Sequence, residues 1–374
     1  MSSTQGQEPA GTPRAASGPL CPFELSVDPI TRFLNCELAD DPTYDGLELQ
    51  YFDVPVHGTG MLAFLSRRAD RRVDYYHEPG LRLDQDSFRL GAGTGAWTET
   101  TFQVARLEIA ADGVDAEVRF TDVDGRLVEV RVNDRDARRR RPAQLLAPVG
   151  ASVDQPNALL LVWLHGFDLV RVTGTQPVIR IDGREASTGR LPGRLLHRRH
   201  LIKYAAPLCA AQLNRNHDGP LAPVDPAAPG QVQLTADRRG IVGLTAEQGR
   251  HWARFALDPA LPDLRTLTRG APAQGAWTVD VDGVRLTGGR WWAARSGARV
   301  ELGLDVEQRW RPGPLPPLMR LVTTVVPDFR RWPTTYRWRA VVALGPAPTL
   351  RSRWERTSAE RGDAYRRATG STTA

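Results

Sequence analysis

The sequence predicts an all-β protein: two antiparallel β-barrels or sandwiches packed together, with one or two short helices. Three observations carry that expectation. Four of the chain's six Asp-Gly pairs, Asp112-Gly113, Asp124-Gly125, Asp182-Gly183 and Asp282-Gly283, lie beside alternating apolar and polar residues. Asp-Gly supplies the positive-φ positions of tight hairpin turns, and the pairs occur in both halves of the chain. A proline-rich stretch, 215–230, parts those halves, and the tetrapeptide Gly-Ala-Trp-Thr occurs once in each, at 95–98 and 275–278. At 374 residues the chain is about twice a typical domain in length, which leaves room for two β units. Such units must close or pack together to hide their strand edges.

The elements follow in order. Residues 1–18 are small, polar and rich in Pro and Gly; they read as a flexible tail without the apolar centre of a signal peptide. The first β unit spans 19–214. In it Val114, Ala116, Val118 and Phe120 alternate with Asp115, Glu117 and Arg119, and after the turn Val128, Val130 and Val132 alternate with Glu129 and Arg131. That strict period of two across a short turn marks a hairpin. Residues 158–164 are continuously apolar, as in a strand buried on both faces. Residues 194–204 are a candidate short helix. The stretch 215–230 is the linker, and 231–356 the second β unit. There, a hairpin turns at Asp282-Gly283, and strands fall at 299–306 and 336–344. Leu318, Leu321, Val322 and Val325, bracketed by Pro316-Pro317 and Pro327, predict a helix. Residues 357–374 read as a second tail.

Composition bounds the function. The formal charge of +6 comes from arginine, since Lys203 is the one lysine in the chain; that bias does not argue for nucleic acid. The run Arg138–Arg141 reads as a solvated loop, because no exposed aromatics interleave with it. Cys21, Cys36 and Cys209 have neither metal-ligand nor disulfide spacing, which points to a reducing cytoplasm. No apolar run reaches the roughly 18 residues of a membrane helix. The glycines at 91, 93 and 95 are followed by strand-like sequence, not by the helix of a dinucleotide site. GxSxG, P-loop and HExxH motifs are missing from the sequence, so the expectation is a protein without cofactor or metal whose partner is a hydrophobic small molecule. The sequence leaves the oligomeric state open. His197 and His200 have helical i, i+3 spacing, but the surrounding arginines oppose a cation.

Several groups have the chemistry for a site. Asp74-Tyr75-Tyr76-His77-Glu78 is the densest set of proton-transfer groups, though alternation lets only half of it face one cavity. Trp97 and Glu99 share a face, and an apolar setting there would raise a carboxyl pKa and suit it to protonating a ligand. Tyr76, His77 and Glu99 are the candidate catalytic residues. His165-Gly166-Phe167-Asp168 reads as a turn between two strands, with a dyad in which Asp168 orients His165 as the alternative. Trp97, Trp163, His165, Asp168, Tyr336 and Trp338 are the candidate substrate wall. Adjacent Trp291 and Trp292 cannot both enter one core, and nearby arginines offer cation–π partners.

The length, the two β-rich halves meeting at a proline-rich linker, and the terminal strand TTYRWRAVVAL resemble the double-barrel lipocalin-like superfamily. That group includes carotenoid 1,2-hydratase-like proteins and natural-product Diels–Alderases. The resemblance covers about residues 25–356, is one of pattern, and transfers no catalytic motif. It implies two lipocalin-like barrels holding a polyene, terpenoid or lipid-like substrate, and cofactor-free cyclisation, hydration or isomerisation, as in a lyase or isomerase. A non-catalytic lipid carrier and a carbohydrate-active β-sandwich are the alternatives.

Overall fold

In the computed structural model, residues 18–357 are described, apart from 89, 137–139, 154, 173–175, 192–197 and 226–229. The fold is all-β with two short helices, as the sequence predicts. Three curled sheets build it. The first runs in the order Leu25–Ile30, Leu208–Leu213, Leu159–Arg171, Arg199–Ala205, Arg32–Glu37, Tyr44–Val54, Gly58–Arg67, Val73–His77, Thr94–Glu99, with Ala143–Ala147 also paired to Leu159–Arg171. A five-stranded sheet, Arg184–Glu185, Val178–Ile181, Leu127–Asn133, Gly113–Thr121 and Val104–Ala110, covers one face of it. The third sheet is a nine-stranded meander from His217–Pro220 through Thr349–Arg356 back to Val232–Leu234.

Alternation places the cores. Leu34, Cys36, Leu47, Leu49, Met61, Ala63 and Leu65 of the ten-stranded sheet face the five-stranded one. There they share a core with Val114, Ala116, Val118, Val128, Val130 and Ile179. The opposite face of the ten-stranded sheet and the meander share a second, larger core. Phe23 meets Phe255 edge-on and Trp338 at a tilt, with ring centroids 5.0 and 5.6 Å apart, and Trp163 meets Trp310 at 5.9 Å, so the two halves are joined by aromatic packing.

The Asp-Gly pairs at 112–113, 124–125, 182–183 and 282–283 sit at hairpin turns, whereas Asp45-Gly46 and Asp218-Gly219 lie within strands. Asp182 and Asp282 adopt φ of 53° and 48°, each followed by a positive-φ glycine, as a two-residue turn of the favoured hand requires. Elsewhere the structure departs from the sequence reading. The strand Thr94–Glu99 pairs parallel to Val73–His77, because the 78–93 segment between them is long enough to cross over. The two Gly-Ala-Trp-Thr segments therefore occupy unlike places, a parallel edge and an antiparallel interior strand. The helix predicted over 194–204 is replaced from residue 199 by the strand Arg199–Ala205, whose pairing on both sides overrides local propensity; 194–197 lie outside the described residues. Part of the linker, His217–Pro220, is an edge strand paired to Thr349–Arg356. The helix Pro317–Val325 forms, but Leu321 and Val325 of its apolar stripe are exposed, and Met319 and Thr323 are the buried pair.

Arg140, expected in a solvated loop, is buried against Asp134, which lies 2.9 Å from its guanidinium; Arg138 and Arg139 lie outside the described residues. Trp291 is buried, whereas Trp292 lies beneath the Arg339 guanidinium, 5.5 Å from its ring centre. Gly289 sits at a register shift where an added Cβ would run into the Asp305 carbonyl oxygen. Gly289→Ala is therefore expected to cost about 1–3 kcal/mol, read as a lowered urea midpoint with unchanged slope.

Candidate functional site

Two clusters of polar side chains have the geometry of a site. The first lies on the face of the ten-stranded sheet that looks away from the five-stranded one. Cross-strand pairing places Lys203 opposite Asn35, Asn35 opposite Glu48, Glu48 opposite Phe64, Phe64 opposite Tyr75 and Tyr75 opposite Trp97. These six residues form one row across six strands, polar at one end and aromatic at the other. Directly opposed side chains in a sheet are contact neighbours, so the row is continuous.

Glu48 is its chemical centre. Gln50 Nε2 donates to Glu48 Oε1 at 2.7 Å and Asn35 Nδ2 to Oε2 at 3.2 Å. Burial disfavours the charged carboxylate more strongly than these amides and Lys203 favour it, and pushes the Glu48 carboxyl up to about 7. Lys203 itself donates to Glu37 Oε1 at 2.9 Å. Gln50 is 7% exposed, and its Oε1 has no hydrogen-bond partner among the described residues. At the aromatic end Phe88 packs on Phe64, Tyr75 and Trp97 with centroids 6.4, 6.1 and 5.8 Å apart, and its carbonyl accepts from the Tyr75 hydroxyl.

The second cluster joins the two halves. His165, on Leu159–Arg171, places Nε2 2.7 Å from Asp282 Oδ2, and His251 of the meander places Nδ1 2.7 Å from the same oxygen. Asp282 Oδ1 accepts from the Trp252 amide at 3.0 Å, and Cys209 Sγ lies 3.8 Å from Oδ2. Burial opposes ionisation of Asp282, but the bonds from His251, Trp252 and His165 outweigh it and hold its carboxyl below the ordinary range. Asp282 is therefore a carboxylate that accepts from both imidazoles.

The sequence-derived candidates are distributed among several places. Tyr76 is fully buried between the two sheets of the first half, its hydroxyl accepting from the Val123 amide at 3.3 Å. His77 and Glu99 are paired on the opposite face, where Glu99 is exposed and the His77 ring lies 5.4 Å from Trp97. These three do not converge. Residues 165–168 form no turn: Gly166, with φ of 53°, puts an irregularity into one long strand, and Ala206 O would lie 2.5 Å from a Cβ there. His165 is oriented by Asp282. Asp168 instead accepts from its neighbour's amide, Leu169 N, at 2.8 Å and from the Tyr204 hydroxyl at 3.5 Å. Trp163, Tyr336 and Trp338 are buried in the shared core, Tyr336 donating to the Gly150 carbonyl at 2.5 Å. Trp97 is half-buried at the end of the row.

Glu48, Asn35, Gln50 and Lys203 escape local motif reading because they come from three strands whose register only the fold supplies. The single usable signal is the uniqueness of Lys203. Comparison of the chain with protein-family models, curated proteins and solved structures finds no match. No helix among the described residues is long and apolar enough to cross a membrane.

Proposed function

We propose that the protein binds an apolar ligand bearing a hydrogen-bond donor along the row from Lys203 to Trp97, and that Glu48 transfers a proton to or from it. The reaction class is cofactor-free cyclisation, hydration or isomerisation of a polyene, terpenoid or lipid-like molecule. The observation that carries this reading is the row itself: a carboxyl held by two amides stands next to an aromatic stretch on one sheet face. A carboxyl that titrates near neutrality is suited to general acid–base work at physiological pH. The ligand's donor meets Gln50 Oε1, the buried acceptor without a partner, and its apolar body turns toward Phe64 and Trp97. Because Phe88 covers that end, the turn Gln85–Phe88 must move to admit the ligand.

The test mixes the purified protein with a panel of polyene fatty acids and terpenoid alcohols, following binding by polyene fluorescence and turnover by mass spectrometry. Saturable binding with product formation is expected, and Trp97→Ala is expected to weaken binding about tenfold, or about 1.4 kcal/mol. Saturable binding with no product identifies a carrier and removes the catalytic part of the reading. Absence of binding across the panel removes the whole of it.

A further inference from the structure

The junction of the two halves brings together a ligand set for a transition-metal ion. His165 Nε2, His251 Nδ1 and Asp282 Oδ2 all lie within 4.8 Å of one another. Both imidazole nitrogens reach the same carboxylate oxygen, and Cys209 Sγ stands 3.8 Å from it. Two nitrogens and one oxygen grouped in this way, with a sulfur beside the oxygen, are donor types that Zn2+ prefers in tetrahedral sites. With bonds of about 2.0 Å to oxygen and about 2.3 Å to sulfur, a tetrahedral ion separates those two ligands by roughly 3.5 Å, close to the spacing seen. The nitrogen–oxygen separations of 2.7 Å need to open by only about half an ångström to reach the corresponding tetrahedral edge.

The surroundings orient the set in the way metal ligands are usually oriented. The Trp252 amide holds Asp282 Oδ1 and leaves Oδ2 turned to the histidines. The Asp282 amide donates back to the Trp252 carbonyl at 3.0 Å, and the His165 amide donates to the Pro207 carbonyl at 2.9 Å. Cys209 and His251 are buried, while the His165 side chain keeps 23% of its surface exposed and provides the way in.

We infer that His165, His251, Asp282 and Cys209 bind one Zn2+-like divalent ion that clips the ten-stranded sheet to the meander. Each imidazole coordinates through the nitrogen that otherwise donates to Asp282 and keeps its proton on the other ring nitrogen. The Cys209 thiol releases its proton to solvent as the metal–sulfur bond forms. The site stands apart from Glu48 and does not depend on that residue's role.

The experiment strips the full-length protein with a chelator, titrates it with Zn2+ by calorimetry, and measures bound zinc by mass spectrometry. One equivalent and a raised melting temperature are expected. His165→Ala, at the partly exposed ligand, is expected to weaken binding by about 100-fold or more. Substituted Co2+ reports the sulfur independently: wild type shows a thiolate-to-metal charge-transfer band that Cys209→Ser removes while Co2+ remains bound. If wild type binds no more zinc than His165→Ala, the inference fails, and the cluster is a hydrogen-bonded carboxylate alone. A Co2+ complex without the charge-transfer band removes Cys209 from the set.

Discussion

Glu48→Gln is expected to lower turnover of a bound substrate by about 10²–10⁴-fold, the usual contribution of a general acid or base, with affinity changed by less than about threefold. The amide keeps the size of the side chain and one acceptor for its neighbours while removing the titrating proton. Wild-type activity that needs the protonated acid holds below pH 7 and declines as pH rises through about 7, where Glu48 titrates. The substitution removes that limb of the profile. Stability gives a second readout. The folded-state pKa lies above the ordinary glutamate value of 4.5, so the folded protein binds this proton more tightly than the unfolded chain does. The associated stability is complete below pH 4.5 and is lost as pH rises to about 7. At pH 8 Glu48→Gln is therefore expected to unfold no more readily than wild type, and to gain relative to it between about pH 5 and 8 by an amount on the order of 1–3 kcal/mol. Unchanged turnover in the variant, with unchanged pH dependence, would remove Glu48 from the chemistry.

How much of this is legible in the sequence depends on the range of the interaction. Hairpin turns are local, so the four Asp-Gly turns flanked by alternating residues can be read from sequence, and so can the 114–132 hairpin. Asp45-Gly46 and Asp218-Gly219 lie within strands, so the dipeptide alone does not mark a turn. Pairing between distant strands is not local. Residues 199–205 look helical in isolation and are a strand because partners on both sides supply ladder bonds. The candidate site suffers most from this. Sequence proximity assigns the raised carboxyl pKa to Glu99, two residues from Trp97. The structure leaves Glu99 exposed and gives the raised pKa to Glu48, a carboxyl held by the Asn35 and Gln50 amides that reaches Trp97 through Phe64 and Tyr75 on intervening strands.

The same holds for the histidines. Asp168 lies three residues from His165 in sequence, but the strand continues through Gly166 and carries Asp168 toward Tyr204. The partner that His165 does find, Asp282, is legible in the sequence only as a turn residue. Its left-handed conformation serves the hairpin, and the same conformation aims its carboxylate across the junction at His165 and His251.

Asp134→Ala is expected to cost about 3–5 kcal/mol, because it strands a buried guanidinium. Arg140 is 5% exposed and Asp134 3%. Arg140 Nη1 lies 2.9 Å from Asp134 Oδ2, its Nη2 donates to the Asp134 carbonyl, and its Nε donates to the Asp112 carbonyl at 3.0 Å. Asp134 Oδ2 also accepts from the Arg171 amide at 2.9 Å, so the pair ties the end of the five-stranded sheet to Leu159–Arg171. Asp168 Oδ2, 3.9 Å from Arg140, is too distant to replace it fully. Removing both charges costs less than removing one: Asp134→Ala combined with Arg140→Met is expected to recover part of the loss, since the desolvated cation goes with its partner. A surface pair supplies the contrast. Arg290 and Glu307 are 2.6 Å apart but 73% and 42% exposed, and Glu307→Ala is expected to cost less than about 1 kcal/mol. Guanidinium denaturation of the variants decides the matter. An Asp134→Ala midpoint no lower than that of Glu307→Ala would show that water reaches the Arg140 guanidinium once its partner is gone, and that the pair does not hold the two sheets together.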